Sequence, residues 1–147
     1  MWVVRQEIIW DRIIASNIRG WRFWNVDERI YWLYKPINEN DKGIELNSKF
    51  AKMGSIWRFQ PESKVKEHPA PFPKELPRRI LKSLYPNGEG RIILDPYVGS
   101  GTTAVVAKEM GHHYIGIDIS EEYLKLAQKR IDETNVHKNS LLELFGD

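Results

Sequence analysis

The sequence contains no cysteine and no apolar run near the length of a membrane span. Without cysteine the chain forms neither disulfides nor thiolate metal sites, and a bilayer-spanning helix needs about 20 apolar residues in succession. The amino terminus, Met1 to Arg5, also lacks the basic and then apolar pattern of a secretion signal. These absences favour an intracellular, cytoplasmic protein that does not enter a membrane, and 147 residues suffice for one domain with a real core.

The sequence has no pattern typical of a metal site. His112 and His113 stand side by side before a short apolar run, and no carboxylate lies at ligand spacing from them. Zinc sites in proteins combine three or four His, Cys, Asp or Glu ligands. We therefore expect both histidines to be surface residues and expect no bound metal.

The net charge of +2 conceals an uneven distribution along the chain. Residues 1–86 contain 16 Lys and Arg against 10 Asp and Glu, whereas residues 87–147 contain 6 against 10. A basic half suits a polyanion such as nucleic acid, although a split of this size also occurs in ordinary solvated surfaces. All six tryptophans lie in the basic half, where aromatic rings between arginines can stack on bases.

Strand-like segments dominate the first 60 residues. Residues 6–10 and 28–34 are rich in β-branched and aromatic side chains, and several turn-forming residues lie in the Arg-rich connection between them. This pattern predicts an antiparallel pair joined by a long loop, with Trp10 and Trp32 in the core and Trp21 and Trp24 available for contacts. A further short strand is predicted at residues 56–59.

A proline-rich stretch and a helix follow. The prolines from His68 to Pro73 hold the chain extended. A helix is predicted from about Pro73 up to the breaker Pro86-Asn87-Gly88, with Leu and Ile at helical spacing on one face and with Arg78, Arg79 and Lys82 on the other.

Residues 91–119 carry the clearest pattern, which is typical of a nucleotide-type cofactor cradle. A short apolar strand leads into a turn at Gly99 and Gly101, a breaker-free helix follows as far as Gly111, and a second strand ends at Asp118. The spacing predicts a βαβ unit, and an acidic residue roughly 20 positions after the glycine turn is placed to hold a ribose by its hydroxyls. Ser120 is expected to cap a last helix, and the tail after residue 135 is expected to fray.

The glycine turn alone does not identify the cofactor, because its spacing also fits the dinucleotide pattern G-x-G-x-x-G/A. Asp95 lies just before the turn, where it would repel a pyrophosphate and attract a cationic amino group. S-adenosylmethionine has such an amino group. Its carboxylate would lie against the N–H groups of the turn and the hydroxyls of Thr102 and Thr103, while Asp118 holds the ribose and Ile119 flanks the adenine.

These residues resemble the DNA methyltransferases that modify the exocyclic amino group of adenine or cytosine. The run Asp95-Pro-Tyr-Val-Gly-Ser-Gly-Thr-Thr looks like that family's cofactor motif, and the stretch from His68 resembles the segment just upstream of it. Gly116-Ile-Asp-Ile, with Tyr123, Ala127 and Arg130-Ile131, resembles the family's next strand and helix. Glu7-Ile-Ile-Trp-Asp is similar to the family's late strand, so the resemblance covers about residues 6–131.

The resemblance implies an α/β fold of the Rossmann-like S-adenosylmethionine-dependent methyltransferase type, here an incomplete doubly wound sheet with an antiparallel strand pair. It implies one partial domain over residues 1–147, with a strand pair and recognition loop in residues 1–60 and a cofactor-binding βαβ region in residues 61–147. S-adenosylmethionine is the implied cofactor, and double-stranded DNA is the implied partner.

The resemblance also implies which residues contact the cofactor. They are His68, Pro69, Phe72, Asp95, Tyr97, Gly99, Ser100, Gly101, Thr102, Thr103, Asp118 and Ile119. Structural alternatives stay open for some of them, since His68 could pack under a loop, Pro69 could only shape the chain and Gly101 could only let helix and strand approach. Contacts to DNA are expected from the loop between the first strands, at Arg12, Arg19, Trp21 and Arg22.

One part of the family's pattern has no match in the sequence. The family holds its target amino group with Asp/Asn/Ser-Pro-Pro-Tyr/Phe, whose polar atoms accept the N–H bonds and whose ring stacks on the flipped base. The nearest string, Asp95-Pro96-Tyr97, lacks the second proline and belongs to the cofactor turn, so no catalytic residue is assigned. Without the strand that carries this motif, the sheet would have a gap, with unpaired backbone and exposed apolar faces. We therefore expect the carboxyl-terminal part of a split or truncated enzyme, completed by a complementing subunit or by a homodimer.

Two other interpretations remain open from the sequence. The first is a non-catalytic remnant that still binds cofactor or DNA, which the missing motif favours. The second is an NAD-dependent oxidoreductase domain, which only the glycine spacing favours and which Asp95 and the proline-rich stretch oppose.

Overall fold

A computed structural model describes residues 1–14, 23–47, 53–61, 72–87 and 90–135. Within these ranges the elements follow the order β1 (Val3–Asp11), β2 (Asp27–Tyr34), β3 (Ile56–Arg58), α1 (Glu75–Leu84), β4 (Ile92–Asp95), α2 (Thr102–Glu109), β5 (His113–Gly116) and α3 (Glu121–Asp132). The chain divides into two compact units, Met1–Pro61 and Glu62–Asp147. In the ranges that the structure describes, no helix has both the length and the apolar character needed to cross a membrane.

The first unit is a three-stranded sheet with β1 in the middle. β2 pairs with β1 antiparallel, which confirms the predicted pair, and β3 joins the other edge of β1 in parallel. Ile8 and Trp10 alternate along β1 on its buried face. Trp10 stacks on Phe59 with ring centroids 5.2 Å apart, and its Nε1 donates to the Phe59 carbonyl at 2.9 Å. Phe59 thus lies just after β3 and packs its ring against Trp10. β3 therefore ends one residue earlier than predicted.

The pairing of β1 with β2 is irregular near the start of β1. The register between β1 and β2 shifts between Val4 and Gln6. The guanidinium of the intervening Arg5 lies over two rings of β2, 4.8 Å from the centroid of Trp32 and 5.1 Å from that of Tyr34. The prediction of a core residue is confirmed for Trp10, but Trp32 is only partly buried because β2 lies at the edge of the sheet.

The second unit contains the predicted βαβ arrangement. β4 and β5 pair in parallel, with Ile93 beside Tyr114, and α2 connects them. Both of these side chains pack against the buried cluster that α1 and α2 form with Leu81, Val106 and Met110. Two adjacent valines of α2, Val105 and Val106, are fully buried. Ser120 is the N-cap of α3, as predicted, and its Oγ accepts the N–H of Tyr123 at 3.3 Å. The predicted fraying of the tail after residue 135 lies outside the described residues.

Helix α1 is attached to α2 by charge as well as by apolar contacts. Its Leu81 is buried, in agreement with the predicted apolar face. Arg78, predicted on the opposite face, donates to Glu109 of α2 at 2.6 Å, and Lys74 donates to the same carboxylate at 2.8 Å. Burial by itself would raise the pKa of Glu109, but the bonds and charges of Lys74 and Arg78 lower it below its ordinary value.

The prediction of two surface histidines is wrong for one of them. His113 is exposed, but His112 is only 5 % exposed and meets the ring of Tyr85 edge-on at 6.1 Å. The cause is the helix end: Gly111 adopts a φ of 76°, and the His112 N–H then donates to the carbonyl of Ala107. The chain thereby folds back over the end of α2, which carries His112 inward.

Candidate cofactor site

Two carboxylates lie at the same edge of the β4–β5 sheet. Asp95 is the last residue of β4 and is paired in register with Gly116, and Asp118 follows two residues later. Because the strands are parallel, their carboxyl ends meet at one edge, where open α/β sheets bind ligands. Ile117 closes the ladder there, since its N–H donates to the Asp95 carbonyl and its own carbonyl accepts the Val98 N–H.

Asp118 connects the second strand to the glycine turn. Its Oδ2 accepts the N–H of Gly99 at 2.9 Å, and its Oδ1 accepts the N–H of Ser120 at 2.9 Å. A carboxylate offers about four acceptor positions, so these bonds are compatible with further donors such as ribose hydroxyls. The bond to Gly99 also shows that one N–H of the turn, expected from the sequence to face a ligand, is engaged within the protein.

The turn itself needs glycine for two separate reasons. Gly101 has a φ of 84°, a left-handed conformation that other residues rarely adopt. A Cβ on Gly101 would also lie 2.8 Å from the Cβ of Ala127 in α3. The missing side chain of Gly101 thus allows α3 to approach the turn closely, which differs from the approach of helix and strand considered from the sequence.

Two of the predicted contact residues are directed into the protein. Ser100 and Thr102 are each 3 % exposed. Arg130 of α3 donates through Nη1 to the Ser100 carbonyl at 2.6 Å and to the Ser100 Oγ at 2.8 Å, and the same nitrogen lies 3.5 Å from the Thr102 Oγ1. Sequence reasoning did not assign Arg130 a role at the turn. The signals for Arg130 in the sequence are its place among the residues that resemble the family's helix and its spacing of three positions after the small residue Ala127.

Other predicted contact residues are open to solvent. Tyr97, two residues after Asp95, is 87 % exposed, and Ile119, next to Asp118, is fully exposed. Phe72 is 37 % exposed. Large apolar side chains beside two carboxylates offer a surface for a flat ring such as adenine. His68 and Pro69 lie outside the described residues.

Of the four residues predicted to contact DNA, the structure describes Arg12, while Arg19, Trp21 and Arg22 lie outside the described residues. Arg12 donates to the Asn25 carbonyl at 2.7 Å and pairs with Glu28 at 3.1 Å, and its side chain is only 14 % exposed. It therefore joins the two ends of the connection between β1 and β2. Trp24, in the same connection, is 58 % exposed.

Similarity to known proteins covers most of the chain. Residues 1–129 match the model of the N6/N4 methyltransferase family, described as DNA methylase. The chain is 39 % identical to the type II methyltransferase M2.DpnII of Streptococcus pneumoniae, with 82 % of this chain and 48 % of the relative aligned. It is 30 % identical to the type II methyltransferase M.HinfI of Haemophilus influenzae, with 95 % of this chain and 42 % of the relative aligned. The chain thus spans about half the length of these curated relatives.

Solved structures share the fold. The M1.HpyAVI–SAM complex superposes with a TM-score of 0.67 at 24 % identity, over 89 % of this chain and 63 % of that chain. The cytosine-N4-specific PvuII DNA methyltransferase superposes with a TM-score of 0.73 at 16 % identity, over 88 % of this chain and 51 % of that chain. The predicted α/β methyltransferase fold is confirmed. The family match, which extends over both compact units, identifies the chain as a member of the N6/N4 DNA methylase family.

Proposed function

We propose that this chain is the cofactor-binding part of an S-adenosylmethionine-dependent DNA methyltransferase that acts on an exocyclic amino group of adenine or cytosine. The observation that carries the proposal is the pair of carboxylates, Asp95 and Asp118, at one edge of a parallel sheet and on either side of a glycine turn. The type II methyltransferase relatives and the SAM complex with the same fold support it.

The residues at this edge fit the chemical groups of S-adenosylmethionine. Asp95 provides negative charge for the amino group, and Asp118 provides acceptors for ribose hydroxyls. The first N–H groups of α2, at Thr102 and Thr103, precede the first intrahelical donor, Val105, and so favour a carboxylate. Ile119 offers an apolar surface to the adenine. When bound, the cofactor supplies an electrophilic methyl group on its sulfonium.

The remaining predicted contacts divide into two groups. Phe72, Tyr97, Gly99, Gly101 and Thr103 are proposed to border the cofactor, together with His68 and Pro69 from the upstream segment. Ser100 and Thr102 are proposed to support the turn from inside the protein. The Ser100 hydroxyl accepts a hydrogen bond from Arg130, and the Thr102 hydroxyl lies near the same guanidinium. We assign no catalytic residue to this chain. The 147 residues lack the Asp/Asn/Ser-Pro-Pro-Tyr/Phe tetrapeptide that accepts the hydrogens of the target amino group.

A complementing subunit is the proposed source of that tetrapeptide. One face of the β4–β5 sheet exposes Ile92 by 67 %, Leu94 by 59 % and Ile115 by 51 %. His113 lies beside Ile92 on this face, which is otherwise apolar, and an exposed apolar face is typical of an interaction surface. About half of each curated relative has no aligned counterpart in these residues, so a polypeptide with that half is the partner that fits. A homodimer that covers the same face is the alternative.

Ligand binding tests the cofactor assignment. We expect isothermal titration calorimetry to detect S-adenosylhomocysteine binding and no NAD binding by the purified chain. Asp118→Ala should weaken the binding by more than tenfold, since it removes the proposed ribose acceptor and releases Gly99. Asp132→Ala, a change of the same charge at an exposed position of α3, should leave the affinity unchanged. NAD binding, or an affinity that does not depend on Asp118, would contradict the assignment.

Methyl transfer tests the activity and the partner together. The assay transfers a labelled methyl group to double-stranded DNA, first with this chain alone and then after mixing it with the product of the upstream neighbouring reading frame. A signal only in the mixture would support a split enzyme. A signal from the chain alone would contradict the need for a partner, and no signal in either case would favour a non-catalytic binding remnant.

DNA contact is proposed for the connection between β1 and β2. Alanine at Arg19 and Arg22 should weaken DNA binding and reduce its dependence on salt, because each phosphate contact contributes to counterion release. Arg12 is a weaker candidate, since its guanidinium already pairs with Glu28. An unchanged salt dependence in the double variant would move the DNA surface elsewhere.

A further inference from the structure

We propose that Arg130 is a positioning residue that holds the glycine turn in its cofactor-binding conformation. The inference rests on the proposed function for what the turn binds, but the contacts are independent of it. A single nitrogen, Nη1, donates to the carbonyl and the hydroxyl of Ser100 and approaches the hydroxyl of Thr102. One guanidinium thus joins the middle of the turn to the first residue of α2.

The burial of the acceptors makes this contact important. Ser100 and Thr102 are each 3 % exposed, so water has little access to their oxygens. A buried acceptor that loses its donor keeps the full cost of its desolvation. Without Arg130, the turn would rearrange until the Ser100 carbonyl reached solvent or another donor, and it would leave the conformation described here.

Helix α3 fixes the turn at more than this one point. Ala127 precedes Arg130 by three residues and so lies on the same side of the helix, where it packs directly against Gly101. Asp118, just before the helix, bonds to Gly99 and to the N–H of the N-cap Ser120. Side chains on or just before α3 thus fix residues 99 to 102 by one steric contact and two sets of hydrogen bonds. A turn fixed before the ligand arrives avoids part of the ordering cost of binding.

A purely structural role for Arg130 would be to attach α3 to the rest of the unit. Lys108 of α2 already does this at the same end of α3, since its Nζ donates to the Ile131 carbonyl at 2.6 Å. The hydrogen bond of Lys108 goes to α3 and not to the turn. Lys108→Met therefore removes an anchor of α3 and a positive charge without touching Ser100 or Thr102, and it is the matched control for Arg130→Met.

The experiment measures two quantities on the 147-residue chain. Amide hydrogen exchange reports the protection of residues 99–103, and calorimetry reports the affinity for S-adenosylhomocysteine. We expect Arg130→Met to raise exchange in the turn and to weaken binding by about tenfold, beyond any change in Lys108→Met. Arg130→Lys, which keeps one donor and the charge, should recover part of both losses. Thermal unfolding of each variant separates these effects from general destabilisation.

The outcomes also separate this inference from the proposed function. If the wild-type chain bound no S-adenosylhomocysteine, the proposed cofactor would be wrong, and exchange in the turn would still decide whether Arg130 holds it. Normal protection and normal affinity in Arg130→Met would overturn the inference. Equal losses in Arg130→Met and Lys108→Met, with equal falls in melting temperature, would overturn it as well, because Arg130 would then act only by attaching the helix.

Discussion

The two faces of the β4–β5 sheet have similar side chains and different surroundings. On one face Ile93 and Tyr114 lie beside each other and pack against the clusters that the helices bury. On the other face Leu94 and Ile115 lie beside each other in the same way, but they are 59 % and 51 % exposed. The helix-covered face and the bare face therefore differ mainly in what covers them, although the bare face also carries the exposed His113 beside Ile92.

This difference indicates the surroundings to which the sequence of the strands is suited. A sheet with one face in water normally alternates apolar and polar residues, whereas a parallel sheet with helices on both faces is apolar throughout. Ile92 to Leu94 follows the second pattern. Apart from His113, the bare face thus has the composition of a buried one, and for this reason we propose that it is covered by a complementing polypeptide.

The largest effect is expected on the covered face, from Leu81→Ala in α1. Leu81 is 5 % exposed and packs against Val106, Ala107 and Met110. Truncation of a buried leucine costs about 2–5 kcal/mol, because it loses apolar burial and leaves a cavity. Urea denaturation of the purified chain measures the change in the free energy of unfolding.

The control for Leu81→Ala lies one position further along the same helix. Lys82 is exposed, and Lys82→Ala should change the free energy of unfolding by no more than about 0.5 kcal/mol. If Leu81→Ala were as mild as this control, α1 would not contribute to the covered face, and the contrast between the two faces would lose its basis.

A smaller and pH-dependent effect is expected from Glu109→Gln, which weakens the attachment of α1 to α2. A hydrogen bond to a charged group contributes about 1.5–3 kcal/mol to the free energy of unfolding. Because Lys74 and Arg78 are partly exposed, we expect Glu109→Gln to lower this free energy by about 1–2 kcal/mol at neutral pH. The pKa of Glu109 is lowered on folding, so its contribution is complete above about 4.5 and is lost as the pH falls through the folded-state value.

Thermal unfolding across pH 3 to 7 measures this second effect, with Glu133→Gln as the exposed control. The wild-type chain should unfold at a higher temperature than Glu109→Gln near pH 7, and the gap should shrink as the solution is acidified below about 4.5. A gap that stayed constant with pH would mean that the two cations do not lower this pKa.

The sequence predicted local features well and contacts between helices poorly. The strand from Ile92, the glycine turn and the Ser120 cap were predictable because apolar runs, positive-φ glycines and capping hydroxyls act over a few residues. The bonds of Arg130 to Ser100 join residues 30 positions apart, and those of Arg78 to Glu109 join residues 31 apart. Such contacts depend on how helices dock, which no local pattern specifies. His112 was misjudged for a different reason, because the turn at Gly111 carries it back over the end of α2.

The smallest effect is expected on the bare face, from Leu94→Ser. The side chain is 59 % exposed, so its removal should change the free energy of unfolding of this chain by about 0.5 kcal/mol or less. Ile93 lies at the adjacent position on the covered face, and Ile93→Ser should lower the free energy of unfolding several times more. Urea denaturation of the two variants compares these changes directly. If Leu94→Ser destabilised the chain as strongly as Ile93→Ser, the residue would already be buried in solution. A second copy of the chain would then be the occupant of this face, and dilution should restore the difference between the variants, since a homodimer depends on concentration and a folded monomer does not.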